Sequence, residues 1–450
     1  MSSSREDNNV GGRVKRYAKV SAGVGGLAVK YAGTMLFGGE RDNDRYAGEL
    51  RSALGGLKGP IMKVAQMMAT IPDALPEEFA SQLAELQTNA PPMGWPFVKR
   101  RMAAELGKDW TSKFASFERD AAAAASLGQV HRAEHHDGTR LACKLQYPDM
   151  QSAVEADLNQ LNLLFSIHRR MDQSINTAEM AEEIGARLRE ELDYGLEASH
   201  MALYRDVLAD HDEIIVPNVY EDLSTNRLLT MNWLDGRPIL EFKEADQEVR
   251  NKIAKAMFHA WWFPFSHYGA IHGDPHLGNY SVRSDHGINL LDFGCIRIFR
   301  PEFVQGVVSL YTALLHQDDE LAVAAYETWG FRNLSKELIE PLNIWSGFIY
   351  GPLLDDRVRT IADGVSPGDY GRKQAFEVRK RLKELGPVTP PREFVFMDRA
   401  AIGLGAVFLH LDAELNFFEL FNAAIDGFDI EVLRDRQTQA LEKSNVPLPS

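Results

Sequence analysis

The spacing of apolar and polar positions changes several times along the chain, and each change marks an expected element. In the amino-terminal region apolar residues recur at helical intervals up to Pro72 and again from Pro76, which predicts two amphipathic helices separated by a turn. From about residue 108 the pattern becomes strand-like. Ser126-Leu127-Gly128-Gln129-Val130 reads as a turn entering a strand, His136-Asp137-Gly138 as a second turn, and Leu141-Ala142-Cys143-Lys144-Leu145 as an apolar strand holding one lysine. Helical spacing returns over about residues 150–209, followed by a strand pair around 216–219 and 227–231. The remainder reads as mostly helical apart from one region, where an apolar run ends at His272 and a loop, a short strand, a turn and the strand Ile288-Asn289-Leu290-Leu291 follow.

Two further apolar stretches are too short or too charged for the roughly 20 apolar residues of a membrane-spanning helix. Residues 24–37 are interrupted by Lys30, and 400–421 contain Asp412 and Glu414, so both are expected as packed or interfacial helices. The glycine-containing segment 14–37 could lie on a membrane surface, although an ordinary amphipathic helix is the more frequent outcome of such a pattern. The polar first 16 residues carry no secretory signal, so the expected location is cytoplasmic and open to membrane association.

Chemistry concentrates in His272-Gly273-Asp274-Pro275-His276-Leu277-Gly278-Asn279 and Leu290-Leu291-Asp292-Phe293-Gly294. An Asp followed five residues later by an Asn has the spacing of a kinase catalytic loop, in which the Asp orients the attacking hydroxyl and the Asn holds a metal ion. The Asp of Asp-Phe-Gly is then the second metal ligand. Mg2+ favours hard oxygen donors and leaves its other positions to water and phosphates. Asn279 and Asp292 supply a carboxylate and an amide carbonyl, which makes them the candidate metal ligands, Asp274 the candidate catalytic residue, and ATP or ADP with Mg2+ the expected cofactors. Each string alone is turn-like; their order and spacing single them out.

Upstream, Ala121 to Gly128 and Lys144 outline a kinase amino-terminal hairpin, where a glycine-rich loop covers the phosphates and a strand lysine reaches them. Lysine inside an apolar strand is costly to bury unless paired. The alternative is an edge-strand lysine facing solvent. Ala123 and Ala125 stand where two glycines are usual and only Gly128 remains, so the backbone cannot approach phosphate as closely. Asn232-Trp233-Leu234-Asp235-Gly236 would be the hinge where adenine meets backbone groups, with Met231 and Trp233 at the nucleotide.

Composition narrows the partners. Lys and Arg total 49 against 64 Asp and Glu, a net charge of −15, which argues against nucleic-acid binding as the main role. Cys143 and Cys295 are the only cysteines, so a disulfide framework is not expected and each is best read as a small buried filler.

These motifs resemble the UbiB, or AarF-type, family of atypical kinase-like proteins, from about Leu54 to the carboxyl-terminal region. The most specific marks lie outside any ordinary kinase: Lys63-Val64-Ala65-Gln66 resembles the family's K-x-G-Q motif with Ala65 in place of glycine, followed by Asp73-Ala74-Leu75-Pro76 and Leu83-Ala84-Glu85-Leu86-Gln87. The resemblance implies an alanine-rich loop at Ala123-Ala124-Ala125-Ser126, an E-x-D motif at Glu191-Leu192-Asp193, and ion pairs of Lys144 with Glu197 and of Lys63 with Glu191. Lys63, Gln66 and Glu191 would then join the nucleotide site. By spacing alone, Glu190-Glu191 reads as a solvated acidic face.

The expected fold is α+β, a two-lobed protein-kinase-like fold. Residues 1–50 form a polar start with the interfacial segment, 51–107 a helical extension, 108–235 the amino-terminal lobe with a helical insert, and 236–450 a mostly helical carboxyl-terminal lobe. Only six residues, 295–300, separate Gly294 from the helix expected at Pro301, and Gly273 replaces the arginine that answers activation-loop phosphorylation in regulated kinases. A platform for protein substrates and control by phosphorylation are therefore not expected. The leading expectation is an ATP-binding atypical kinase or ATPase, which by resemblance supports ubiquinone or membrane-lipid metabolism and takes a quinone precursor or lipid as partner. The alternatives are a small-molecule phosphotransferase of the aminoglycoside or choline kinase type and a nucleotide-gated binding protein without turnover.

Overall fold

A computed structural model describes residues 93–158, 185–362, 365 and 392–449, apart from positions 126, 149, 153, 156, 157, 332, 333 and 335. Lys63, Gln66, Ser126 and the interfacial segment lie outside the described residues. The chain divides into two compact units, one of residues 1–192 with 226–228, the other of 193–225 with 229–450.

In the first unit, helix α1 (Trp95–Leu106) has proline in its first turn, where the missing N–H costs nothing, and stops at Gly107, whose φ of 92° suits glycine alone. The strands β1 (Ser116–Phe117), β2 (Ala123–Ala125), β3 (Gly128–Glu134) and β4 (Arg140–Gln146) form an antiparallel sheet in which β3 pairs with the other three. Trp110, Phe114 and Phe117 pack edge to face at 5.1–6.3 Å beside it. The expected alanine loop is largely strand. Ala123, Ala124 and Ala125 pair with Val130, Gln129 and Gly128. Alanine satisfies its backbone groups in the ladder as readily as in a helix, and the hairpin with β3 offers that ladder.

The second unit holds α2 (Tyr194–Val207), β5 (Ile214–Ile215), most of β6 (Leu228–Asn232), β7 (Arg237–Pro238) and α3 (Gln247–Tyr268). Then follow β8 (Ala270–His272), β9 (Tyr280–Val282), β10 (Ile288–Leu290), β11 (Ile296–Ile298), α4 (Pro301–His316), α5 (Asp319–Thr328), α6 (Lys336–Tyr350), α7 (Arg392–His410), α8 (Phe417–Ile425) and α9 (Ile430–Lys443). One sheet runs β5-β10-β9-β7, with β5 parallel to β10 and the other neighbours antiparallel; β8 and β11 form a separate antiparallel pair. Helix α3 is the centre of the core. Its Phe258, Trp261 and Phe265 are at most 1% exposed, and it packs against α7, α8, α9 and β8.

Three expectations change here. The strand expected over 216–219 reduces to one bridge, Val219 to Met231, because the chain has already spent Ile214–Ile215 pairing with β10. The second unit is less purely helical than expected, since β5 and β7 extend the β9–β10 hairpin into four strands. Residues 400–421 are not one helix: α7 ends at His410 and α8 begins at Phe417, with Asp412 in a left-handed conformation between them. Among the described residues no helix is long and apolar enough to cross a membrane.

Candidate active site

The region around Asp274 and Asp292 is built from two short strand pairs that bring the two motifs together. Strand β8 delivers His272 and pairs with β11, where Ile296 stands opposite His272, while the β9–β10 hairpin leads from Asn279 back to Asp292. Asn279 is tied to the second motif through its backbone, because its carbonyl accepts the Leu291 N–H at 2.9 Å. Its side-chain amide donates to the Asp274 carbonyl at 3.1 Å, and the Tyr280 hydroxyl donates to the same carbonyl at 2.9 Å. The amide nitrogen of Asn279 being so engaged, its side-chain carbonyl is the group left to face a ligand.

His272 links the acidic residues. Fully buried, it has Nε2 2.6 Å from the Asp292 carbonyl and Nδ1 3.3 Å from the Asp274 N–H. One nitrogen must donate and the other accept, which is the pattern of a neutral imidazole protonated on Nε2. Burial lowers its pKa, with the Asp292 backbone contact and the Asp274 and Asp292 charges opposing, in agreement with the neutral form. Tyr280 is also buried, and burial followed by the charges of Asp274 and Asp292 raises its phenol well above the ordinary range, so it remains a donor.

Asp292 is half-buried, and one of its carboxylate oxygens accepts the Gly294 N–H at 3.0 Å. Carboxylate and amide carbonyl together are hard oxygen donors of the kind Mg2+ takes, so Asp292 and Asn279 could hold that ion. Gly273 has a steric reason to be glycine. Its N–H donates to the Cys295 carbonyl at 2.7 Å, and a Cβ would stand 2.8 Å from that oxygen, so an arginine there would force the loop apart.

Behind the Asp-Phe-Gly turn lies α2. Phe293 is fully buried; its carbonyl accepts from His200 at 3.0 Å, and its N–H points at Glu197 from 3.5 Å. Tyr204 meets the Phe293 ring edge to face at 5.5 Å. Glu197, His200 and Tyr204 follow i, i+3, i+7 spacing and present one helical face to the turn. Asp193, expected within E-x-D, caps this helix by accepting the Leu196 N–H at 3.0 Å. Glu191 is half-buried, its N–H bonded to Arg187 in the preceding helical turn.

In the first unit, Lys144 is 8% exposed, opposite Val130 in the ladder, on a strand flanked by β3 and by the returning chain at Arg227. That placement excludes a lysine facing solvent. Ala123 and Ala124 are exposed and Gly128 buried, and Cys143 is the buried filler expected. Cys295 differs in being half-buried, with its carbonyl tied to Gly273. Met231 is buried and Trp233 half-buried at the end of β6. His200 and Tyr280 escaped the sequence reading. The helical spacing of His200 from Glu197 was the available signal; Tyr280 had none beyond following Asn279.

Two motifs with the order and spacing of a kinase's catalytic loop and Asp-Phe-Gly turn, carried on this α+β scaffold, define a kinase-like protein. The chain belongs to the ABC1 atypical kinase-like family, whose domain matches residues 85–326, more than half of it. It is 28% identical over 325 residues to the mitochondrial atypical kinase COQ8 of Saccharomyces cerevisiae, covering 70% of this chain and 64% of that protein, just under two thirds. With the mitochondrial atypical kinase COQ8B of Rattus norvegicus it shares 27% over 450 residues, 93% of this chain and 81% of the relative. A Mycobacterium tuberculosis protein solved as its erythromycin complex superposes with a TM-score of 0.60 at 26% identity, covering 85% of this chain and 96% of that one. The expected α+β kinase-like fold and the UbiB/AarF resemblance therefore hold.

Proposed function

We propose that this protein binds Mg-nucleotide and transfers or hydrolyses its terminal phosphoryl group in support of isoprenoid-quinone or membrane-lipid metabolism. The carrying observation is the His272 bridge. It fixes the Asp274 backbone against that of Asp292, and the Asn279 amide ties onto the Asp274 carbonyl, so the three residues of the proposed site are held together in one framework.

The nucleotide with its ion would supply the transferable phosphoryl group and neutralise its charge. Asp292 and Asn279 would hold the ion, Asp274 would orient the attacking hydroxyl or water and accept its proton, and Lys144, a buried ammonium, would engage phosphate oxygens. Ala123, Ala124, Ala125, Ser126 and Gly128 would line the phosphates, Met231 and Trp233 would meet the base, and Lys63 and Gln66, from the family's own extension, would complete the site with Glu191. By the family resemblance, Glu197 would be the partner of Lys144. The acceptor is small or lipidic, because residues 296–298 form β11 immediately after the Asp-Phe-Gly turn and leave no segment to carry a peptide. The quinone pathway is what the UbiB/AarF resemblance implies, and a peripheral contact of the chain with a membrane belongs to the same proposal.

The test is phosphate release from Mg-ATP by the purified protein, with and without quinone-like phenols and anionic liposomes. Stimulation by phenols and liposomes is expected, together with a fall of roughly 10²–10⁴-fold in Asp274→Asn and unchanged nucleotide affinity. Equal turnover in parent and Asp274→Asn would remove Asp274 from the chemistry.

A further inference from the structure

Away from the catalytic loop, one cluster of side chains has the donor set of a metal site. His211 and Glu213 lie in the connection between α2 and β5, and His259 lies midway along α3. The Nδ1 atoms of His211 and His259 stand 3.1 Å and 2.8 Å from the same oxygen, Oε1 of Glu213, and one ligand atom from each residue falls within 4.8 Å of the others. Ligands of a tetrahedral zinc ion with bonds of about 2.0–2.1 Å are separated by roughly 3.3 Å. We propose that His211, Glu213 and His259 bind one divalent transition-metal ion, Zn2+ by the chemistry of its donors.

Five observations support a built site. The Glu213 backbone is anchored, its carbonyl accepting the Ile288 N–H at 2.8 Å, and the Ile214 N–H closes a turn onto His211 at 2.9 Å. The His211 ring is held edge-on by Phe263 at 4.4 Å, and Phe263 is stacked on His267 at 4.2 Å, so the imidazole is oriented by packing. All three side chains keep 19–30% of their surface, which lets an ion enter and gives a water the fourth position. Two imidazoles and one carboxylate are the donors of known zinc sites with an open position. One oxygen shared by two imidazoles also exceeds what a single His–Glu pair needs.

This site is chemically separate from the proposed magnesium site. Imidazole nitrogen favours Zn2+, Ni2+ or Cu2+, whereas the oxygen pair Asp292 and Asn279 favours Mg2+. Its position gives it a consequence. A bound ion would join the connection after α2, the helix that supports Phe293, to α3, the helix that leads into β8 and His272, so metal should stabilise the framework behind the catalytic loop.

The test uses untagged full-length protein, stripped with chelator and titrated with Co2+, whose visible bands report nitrogen and oxygen coordination. One saturable Co2+ per chain is expected, displaced by equimolar Zn2+ and not by millimolar Mg2+, and Zn2+ should raise the melting temperature. Glu213→Gln keeps the size and an acceptor oxygen, so it should fold as the parent does while weakening Co2+ by at least about 10-fold, since even outer partners of a metal ligand cost that much. His259→Ala should do the same, and His316→Ala, at the exposed end of α4, should bind as the parent. If His259→Ala fails to fold, Glu213→Gln decides alone. Absence of saturable Co2+ in the parent, displacement by Mg2+, unchanged affinity in Glu213→Gln or loss in His316→Ala would each overturn the assignment.

Discussion

His272 takes no proton and binds no ligand in the proposed chemistry, yet it lies between the two acidic residues of the site. Burial holds its pKa below the ordinary 6.5. Between the two values the unfolded chain takes up a proton that the folded chain refuses, so the contribution of this residue is complete above pH 6.5 and falls as pH drops through the window beneath it. His272→Gln keeps a donor for the Asp292 carbonyl and cannot titrate. Its melting temperature should therefore fall less steeply than the parent's between about pH 7 and about pH 5. Parallel slopes in the two proteins would deny His272 that role. The motif letters showed His272 but not its bonds, because spacing identifies a loop without revealing which backbone groups its side chains tie together. Gly273 is the reverse case: the sequence showed that the usual arginine was missing, and the carbonyl of Cys295 gives the reason.

Helix α2 shows how an element can carry a motif for structural reasons. Asp193 was singled out by resemblance, and its carboxylate satisfies one of the orphan N–H groups at the helix start. Asp193→Ala should cost ~1 kcal/mol of stability, the usual penalty for losing a cap. Asp193→Ser, which can cap, should restore most of it, as read by denaturant midpoints at constant slope. If Ser restores stability but nucleotide affinity stays lost, Asp193 acts on the ligand as well as on the helix. At this scale the hairpin β3–β4, the turn before Asp292 and the proline start of α4 were legible, because their turn residues and apolar runs are local. The parallel pairing of β5 with β10 was not. Two isoleucines some 70 residues before their partner carry no local sign of it, and such non-local pairings are decided by the packed core. The cluster of His211, Glu213 and His259 was hidden for the same reason, since 46 residues separate Glu213 from His259.

For the whole molecule, the acidic balance is compatible with the proposed nucleotide site, in which positive charge for phosphate would come from a single placed group, Lys144, and not from a basic surface. Membership of the ABC1 family was readable from motifs spread along the chain, each weak alone and specific in order. The central claim is that Asp292, with Asn279, binds the metal of a Mg-nucleotide. Its most direct measurement is the melting temperature of parent and Asp292→Asn with ATP, in magnesium and in chelator. At nucleotide about 100-fold above its Kd, linkage adds ~2.7 kcal/mol to the parent, a rise of several degrees that chelator should abolish. Asp292→Asn should show no magnesium-dependent rise, and a rise equal to the parent's would contradict the assignment of the site.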